Sequence, residues 1–380
     1  MPRPANDLRP ETQALSASAG GGRVALGHDW LTGMRGGERV LEHHCRAFPD
    51  APIATLVANL PAVSPVISSH TVVPSWFNRI PCVEKRYRNL LPLMPLAART
   101  LRIPDCDLLL TSSHCVAKSF RKPRGAKHVC YCFSPMRYAW LFREEYFPNP
   151  VKRALVSPLL AWLRVWDRRT SSGVDRFVGI SRAVCDRIRR FYGREADLVY
   201  PPVDISRCTP LAHPEPGAFD LVVSALVPYK RVDLAVETYS RRSWPLKVVG
   251  VGGQLDVLRA KAGPSVEILG WRPDEEVLDL YRRCRLLVFP GEEDFGIVPL
   301  EAQACGRPVV AYARGGALET VVDGVSGVFF QEQTEESLAD AVERAARLGW
   351  DSAAIRANAE SFGPERFLEG LAGSISKTCR

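Results

Sequence analysis

Two glutamates stand eight residues apart in the run Glu293–Asp294–Phe295–Gly296–Ile297–Val298–Pro299–Leu300–Glu301. The run follows a short apolar stretch, Leu286–Pro290, with the form of a buried strand, and a helical pattern begins near Val298. A carboxylate in such a loop can accept hydrogen bonds from sugar hydroxyls. Gly296 permits a close backbone approach, and the amides of the coming helix can face phosphate oxygens. In open α/β sheets ligands sit beyond the carboxyl ends of strands, where this loop falls. A cation follows another strand pattern, Phe219–Ser224: Lys230 is placed to meet a diphosphate as a point charge. Its neighbour Arg231 either joins it or faces solvent.

Other strand-end loops have ligand character. His28–Arg39 runs from a strand end through a turn into a helix and offers Gly36 and Gly37, although its spacing differs from a dinucleotide-binding G-x-G-x-x-G. Gly270, Trp271 and Arg272 follow the strand pattern Val266–Leu269, with Asp274 suited to cap the next helix. Gly315–Gly316 forms a further turn whose amides can face a ligand. The D-x-D spelling, Asp105–Cys106–Asp107, precedes a strand and is therefore structural. No ligand set for a metal is evident.

These loops need two sets of parallel strands to hold them. The first set is Arg23–His28, Ile53–Val57, Leu108–Thr111, Lys127–Cys132 and Arg176–Ile180. The second is Phe219–Ser224, Pro245–Val249, Val266–Leu269, Leu286–Pro290 and Pro308–Tyr312. Each is short, apolar and followed by a helical or irregular segment, the pattern of parallel strands covered on both faces. The length of 380 residues also favours two domains. The expected organisation is a polar, disordered leader over 1–22, a Rossmann-like domain over 23–205, and a second Rossmann-like domain over 206–355. A C-terminal helix over 356–380 returns to the first domain. The Pro-containing stretch Pro201–Gly217 is the linker candidate.

Charge is unevenly placed: residues 1–200 carry 30 Lys or Arg against 16 Asp or Glu, whereas the whole chain has a net charge of +8. A basic first half suits an anionic partner, such as lipid headgroups or a phosphorylated acceptor, or else forms a solvated face. Val151–Arg169 mixes Leu155, Leu159, Leu160, Trp162, Leu163 and Trp166 with five cations, consistent with a helix packed on its domain or lying on a bilayer surface. Pro158 argues against one unbroken helix there. No apolar run is long enough to span a membrane. The 11 scattered cysteines suggest reduced, buried thiols and a cytoplasmic location, peripheral on the inner membrane face if the basic half docks there.

The Glu293–Glu301 pattern resembles the E-x7-E signature of the retaining glycosyltransferases of family 4, and the likeness covers nearly all of the chain after the leader. Within that family the sequence looks most like bacterial mannosyltransferase-like enzymes of O-antigen and surface-polysaccharide assembly. The resemblance implies a GT-B fold, two Rossmann-like doubly wound domains facing a central cleft, with 23–205 the acceptor-side domain and 206–355 the nucleotide-sugar-binding domain. It also implies transfer of a hexosyl unit, mannosyl among the options, from GDP-mannose or another nucleoside diphosphate sugar to a glycan or polyprenyl-diphosphate-linked acceptor. No metal or other cofactor is implied.

In the family Glu293 would contact the donor sugar and Glu301 the nucleotide ribose, with Phe295, Gly296, Ile297 and Val298 of the same loop against the donor. Lys230 would offset charge on the leaving diphosphate, and Gly36, Gly37, Arg231, Gly270, Trp271 and Arg272 complete the donor contacts. Two departures stand out. Relatives commonly have a histidine where this chain has Phe133, and an arginine where it has Ala225. Those departures motivate an alternative, a non-catalytic nucleotide-sugar-binding or scaffold subunit. Arg137 and Tyr138, in the segment Lys127–Trp140, are further contact candidates, and His128 is structural or exposed. Nucleic-acid binding has only the basic half in its favour.

Overall fold

The computed structural model describes residues 10–141, 144, 149–211 and 217–379. They form two compact units. The first runs to Pro201 and resumes at Glu365; the second is Pro202–Pro364.

The first unit is built on β1 (Val24–His28), β2 (Ile53–Thr55), β3 (Val72–Pro74), β4 (Leu108–Ser113), β5 (Lys127–Cys132), β6 (Arg176–Gly179) and β7 (Ala196–Leu198). All pairs are parallel, in the order β3-β2-β1-β4-β5-β6-β7. The order reverses between β1 and β4, which opens a crevice at their carboxyl ends. β4 is buried along its whole length, so its Leu-rich start needs no alternation. The helices end where local chemistry dictates. Ser181 accepts a hydrogen bond from the Val184 amide to start Arg182–Tyr192, and Gly193, at φ 67°, closes it in the left-handed region.

The second unit has β8 (Asp220–Val223), β9 (Leu246–Val249), β10 (Val266–Gly270), β11 (Leu287–Phe289), β12 (Val309–Tyr312) and β13 (Gly327–Phe330). Its sheet is parallel, ordered β10-β9-β8-β11-β12-β13, with the reversal between β8 and β11. Val222, Val248, Val288, Val310 and Val328 share one core cluster with Leu338, Ala341 and Val342 of the helix Glu335–Arg347. At the base of β8, Asp220 is buried and accepts two hydrogen bonds from Arg285 and one from the Tyr239 hydroxyl.

Four expectations need correction. The leader is not disordered over 10–22: a helix spans Pro10–Ser18 and buries Leu15 completely, while residues 1–9 lie outside the described residues. Leu15 is an apolar anchor in an otherwise polar segment, too weak a pattern to read alone. The proposed linker is fixed to the second unit over its described part, since Val203 bonds Phe362 and the Cys208 carbonyl accepts from Arg356; 212–216 lie outside the described residues. The helix Ser352–Glu360 stays with the second unit, held by Arg356 to Ala304 and Asn358 to Gln303. Only the next helix, Pro364–Cys379, joins the first, burying Phe367, Leu368, Leu371 and Ile375. Pro150–Thr170 is one helix despite Pro158. Pro158 and Ala154 are both exposed, so water can serve the carbonyl that the proline leaves unbonded.

Candidate active site

In the second unit the carboxyl ends of β8, β11 and β12 bring three loops together. Lys230 lies in a short turn, Pro228–Lys230, after β8, and its ammonium pairs directly with the Glu293 carboxylate. Both side chains are largely buried. The contact requires close packing of the backbone: a Cβ on Gly291 would lie 2.8 Å from the Lys230 Cα. Gly315 and Gly316 close the other side. The Gly316 amide donates to the Glu293 carbonyl at 2.8 Å, and Gly315 takes a left-handed φ of 62°. A Cβ on Gly316 would stand 2.2 Å from the Phe295 backbone. Gly316→Ala must therefore push the 293–296 loop away. The expected cost is about 3 kcal/mol of stability in denaturant unfolding, with weakened donor binding by titration.

Phe295 is buried and Gly296, at φ 101°, turns the chain into the helix Ile297–Ala304, whose first amides open beside Glu293. Glu301, about one turn into that helix, accepts a hydrogen bond from the Tyr281 hydroxyl at 3.0 Å. Tyr281 is a fixed partner that the motif does not reveal. Arg231 is directed elsewhere: its guanidinium reaches Gln333 at 3.2 Å and Asp233 at 3.5 Å. Gly270 takes a φ of 72° and its carbonyl receives the Gly250 amide. Trp271 is 67% exposed, and Arg272 pairs with Glu276. Ala225 is exposed and supplies no charge.

In the first unit a second set of groups gathers at the ends of β1, β4 and β5. Asp29 is fully buried and accepts the amides of His114, Cys115, Val116 and Ala117, two of its bonds being 3.0 and 2.6 Å to Cys115 and Val116. Its carboxylate also lies 3.1 Å from His114 Nδ1. The loop after β4 is thus wrapped around one anion. Sequence reasoning missed Asp29 and His114, though both lie at strand ends, where ligand loops belong.

Gly36 and Gly37 begin the helix Gly36–Ala47. A Cβ on Gly37 would touch His28 and the Phe133 ring at 3.4 Å. Phe133 itself makes aromatic contacts with His28, His114 and Tyr131, so it fills an apolar corner among three polar rings. His28 donates to or accepts from Ser112 at 2.7 Å. His128 pairs with Thr111 and is buried, a structural role. Tyr138 contacts Cys115, and Asp105 and Asp107 pair with Arg23 at the amino end of the sheet, away from the ligand side.

Burial sets the proton affinities here. It lowers His28 to about 4 and raises Glu38 to about 7, the nearby Arg35 charge opposing the latter. Glu38 caps its own helix by accepting the Arg35 amide at 3.1 Å. The native carboxyl holds its proton up to about 7, whereas an unfolded glutamate releases it near 4.5. Stability from this group is therefore present below pH 4.5 and lost as pH rises through 7. Glu38→Gln should be more stable than the parent at pH 8.5, by on the order of 2 kcal/mol, and equal to it near pH 4. Urea unfolding at the two pH values measures the difference.

The family model "Glycosyltransferase Family 4" matches residues 34–207, and "Glycosyl transferases group 1" matches 210–362. Each match is to a glycosyltransferase domain, and the chain has the two-domain GT-B fold. It is 31% identical over 246 residues to a D-inositol 3-phosphate glycosyltransferase of Geodermatophilus obscurus, covering 56% of this chain and 54% of that one. It is 33% identical over 129 residues to an uncharacterized glycosyltransferase of Methanocaldococcus jannaschii, covering 33% of this chain and 37% of the relative. The chain thus spans about half or less of the length of these curated relatives.

Among solved structures, the lipopolysaccharide outer core galactosyltransferase WaaB superimposes with a TM-score of 0.65 at 16% identity, over 93% of this chain and 99% of the other. The Anabaena HepE protein in complex with UDP-glucose gives 0.63 at 19% identity, over 94% and 99%. At these identities the likeness concerns the fold alone.

Proposed function

We propose that the enzyme transfers a hexosyl unit, with retention, from a nucleoside diphosphate sugar to a hydroxyl of a glycan or lipid-linked acceptor. The observation that carries this reading is the Lys230–Glu293 pair beside the start of the helix Ile297–Ala304. It sets a cation, a hydroxyl acceptor and helix-start amides within one small loop cluster. The bond from the anomeric carbon to the diphosphate oxygen breaks, and the acceptor oxygen forms the new bond on the same face. The acceptor proton passes to the departing phosphate. Lys230 and the helix amides offset the charge that develops there, and Glu293 orients the sugar through its hydroxyls. The reading assigns no step to a metal, so turnover should survive chelation by EDTA.

GDP-mannose is the donor suggested by the resemblance to mannosyltransferase-like enzymes, while the motifs leave base and sugar open. The relatives widen the choice: one neighbour is described in complex with UDP-glucose, and one relative is named for D-inositol 3-phosphate. A phosphorylated polyol therefore joins glycan and polyprenyl diphosphate among acceptors to try. The test is binding and slow hydrolysis of GDP-mannose, UDP-glucose, UDP-galactose and dTDP-rhamnose by the purified protein. One donor bound and turned over supports the reading and names the sugar. A folded protein that binds a donor but neither transfers nor hydrolyses it would favour the scaffold role suggested by Phe133 and Ala225.

A further inference from the structure

The helix Pro150–Thr170 has two faces with different fates. Leu160, Leu163 and Asp167 point inward, and Asp167 is locked by Lys118, Trp140 and Tyr192. On the outside, Val151, Leu155, Pro158, Trp162 and Val165 are exposed. Their spacing of four, three, four and three residues makes one continuous stripe along the helix. Leu155 is 75% exposed and Trp162 is 48% exposed, and apolar groups of that size rarely lie in a row on a surface without a partner.

The surroundings indicate what the partner is. Lys152, Arg168 and Arg169 are exposed near the two ends of the stripe. The segment 83–102 packs on the same core cluster as this helix, through Tyr87, Met94, Ala97, Ala98 and Leu101. It adds exposed Leu93 and Leu96 together with exposed Lys85, Arg86, Arg88, Arg99 and Arg102. Its one acidic residue is Glu84. Apolar side chains with a tryptophan, set among cations, match an interface of hydrocarbon below and negative headgroups above. No helix among the described residues is long and apolar enough to cross a membrane, so this one would lie in the surface plane.

We propose that this face of the first unit docks on an anionic lipid bilayer, with Leu155 and Trp162 entering the headgroup layer and the flanking lysines and arginines meeting lipid phosphates. The proposal concerns where the enzyme works and is independent of which sugar it transfers.

Sedimentation of the full chain with vesicles provides the test. Phosphatidylcholine vesicles containing about 30 mol% phosphatidylglycerol should retain at least about tenfold more protein than phosphatidylcholine alone, and added salt should weaken the binding. Leu155→Ser with Trp162→Ser, and separately Arg168→Ser with Arg169→Ser, should each reduce partition about tenfold. All four positions are exposed, so thermal unfolding and donor hydrolysis should match the parent, which separates this test from that of the donor site. Equal retention on neutral and anionic vesicles, no retention, or unchanged partition in both double variants would overturn the proposal. So would a parent dimer in light scattering that Leu155→Ser with Trp162→Ser converts to monomer, because the stripe would then belong to a second copy.

Discussion

Lys230→Ala is expected to lower kcat/KM for the cognate donor by about 10²–10³-fold, the range found when one charge-stabilising donor is removed from a polar transition state. The loss should be large because Ala225 brings no second cation, where relatives commonly carry arginine, and Arg231 is turned towards Gln333 and Asp233. Lys230→Arg keeps the charge but replaces the compact ammonium that pairs with Glu293 by a longer, planar fork. It should therefore recover only part of the activity. Lys230→Ala also leaves Glu293 without its cation. Thermal unfolding must be measured alongside turnover, and the assignment fails if kcat/KM stays within threefold of the parent in a folded protein.

The second large effect is on stability. Asp29→Ala removes the acceptor of four amides in the 114–117 loop and the partner of His114. All of this lies in a fully buried position. Stranding buried donors costs more than the bonds themselves contribute, so a loss of about 4 kcal/mol is expected in denaturant unfolding. Asp29→Asn can accept at one oxygen and should lose less, about 2 kcal/mol. The order Ala, then Asn, then parent is the informative outcome. A loss under 1 kcal/mol in Asp29→Ala would mean that water or the loop itself satisfies those amides.

Much of this arrangement could be read from the residues. The apolar runs at Leu108–Thr111 and Lys127–Cys132 are long enough to declare themselves, and the structure gives β4 and β5 there. β3 and β7 escaped notice because each is three residues long and half-exposed at a sheet edge. β13 has a stronger signal, Gly327–Phe330, but it follows a turn-rich segment that masks its start. The site divides in the same way. Lys230, Glu293 and the glycines of the second unit belong to contiguous motifs, and the fold brings them together. Asp29, His114 and Tyr281 act through partners 20 to 88 residues away, which no local pattern can disclose. Arg231 reads less plainly: as a basic neighbour of Lys230 it either joins it or faces solvent, and in the structure its guanidinium reaches Gln333 and Asp233 from a left-handed backbone at φ 51°.

The return of the last helix has a consequence for synthesis. The second unit is a continuous segment, whereas the first closes only when Phe367 reaches Tyr131 and His44 and Ser374 reaches Asp197. A chain emerging from the ribosome can therefore complete the later-coded sheet before the earlier one. Until the helix Pro364–Cys379 has emerged, the first sheet waits with an apolar flank uncovered, a window in which a chaperone or an aggregation partner has access. A stop codon just before Pro364 should accordingly act as a folding defect of the amino-terminal unit, although every one of its strands has been translated.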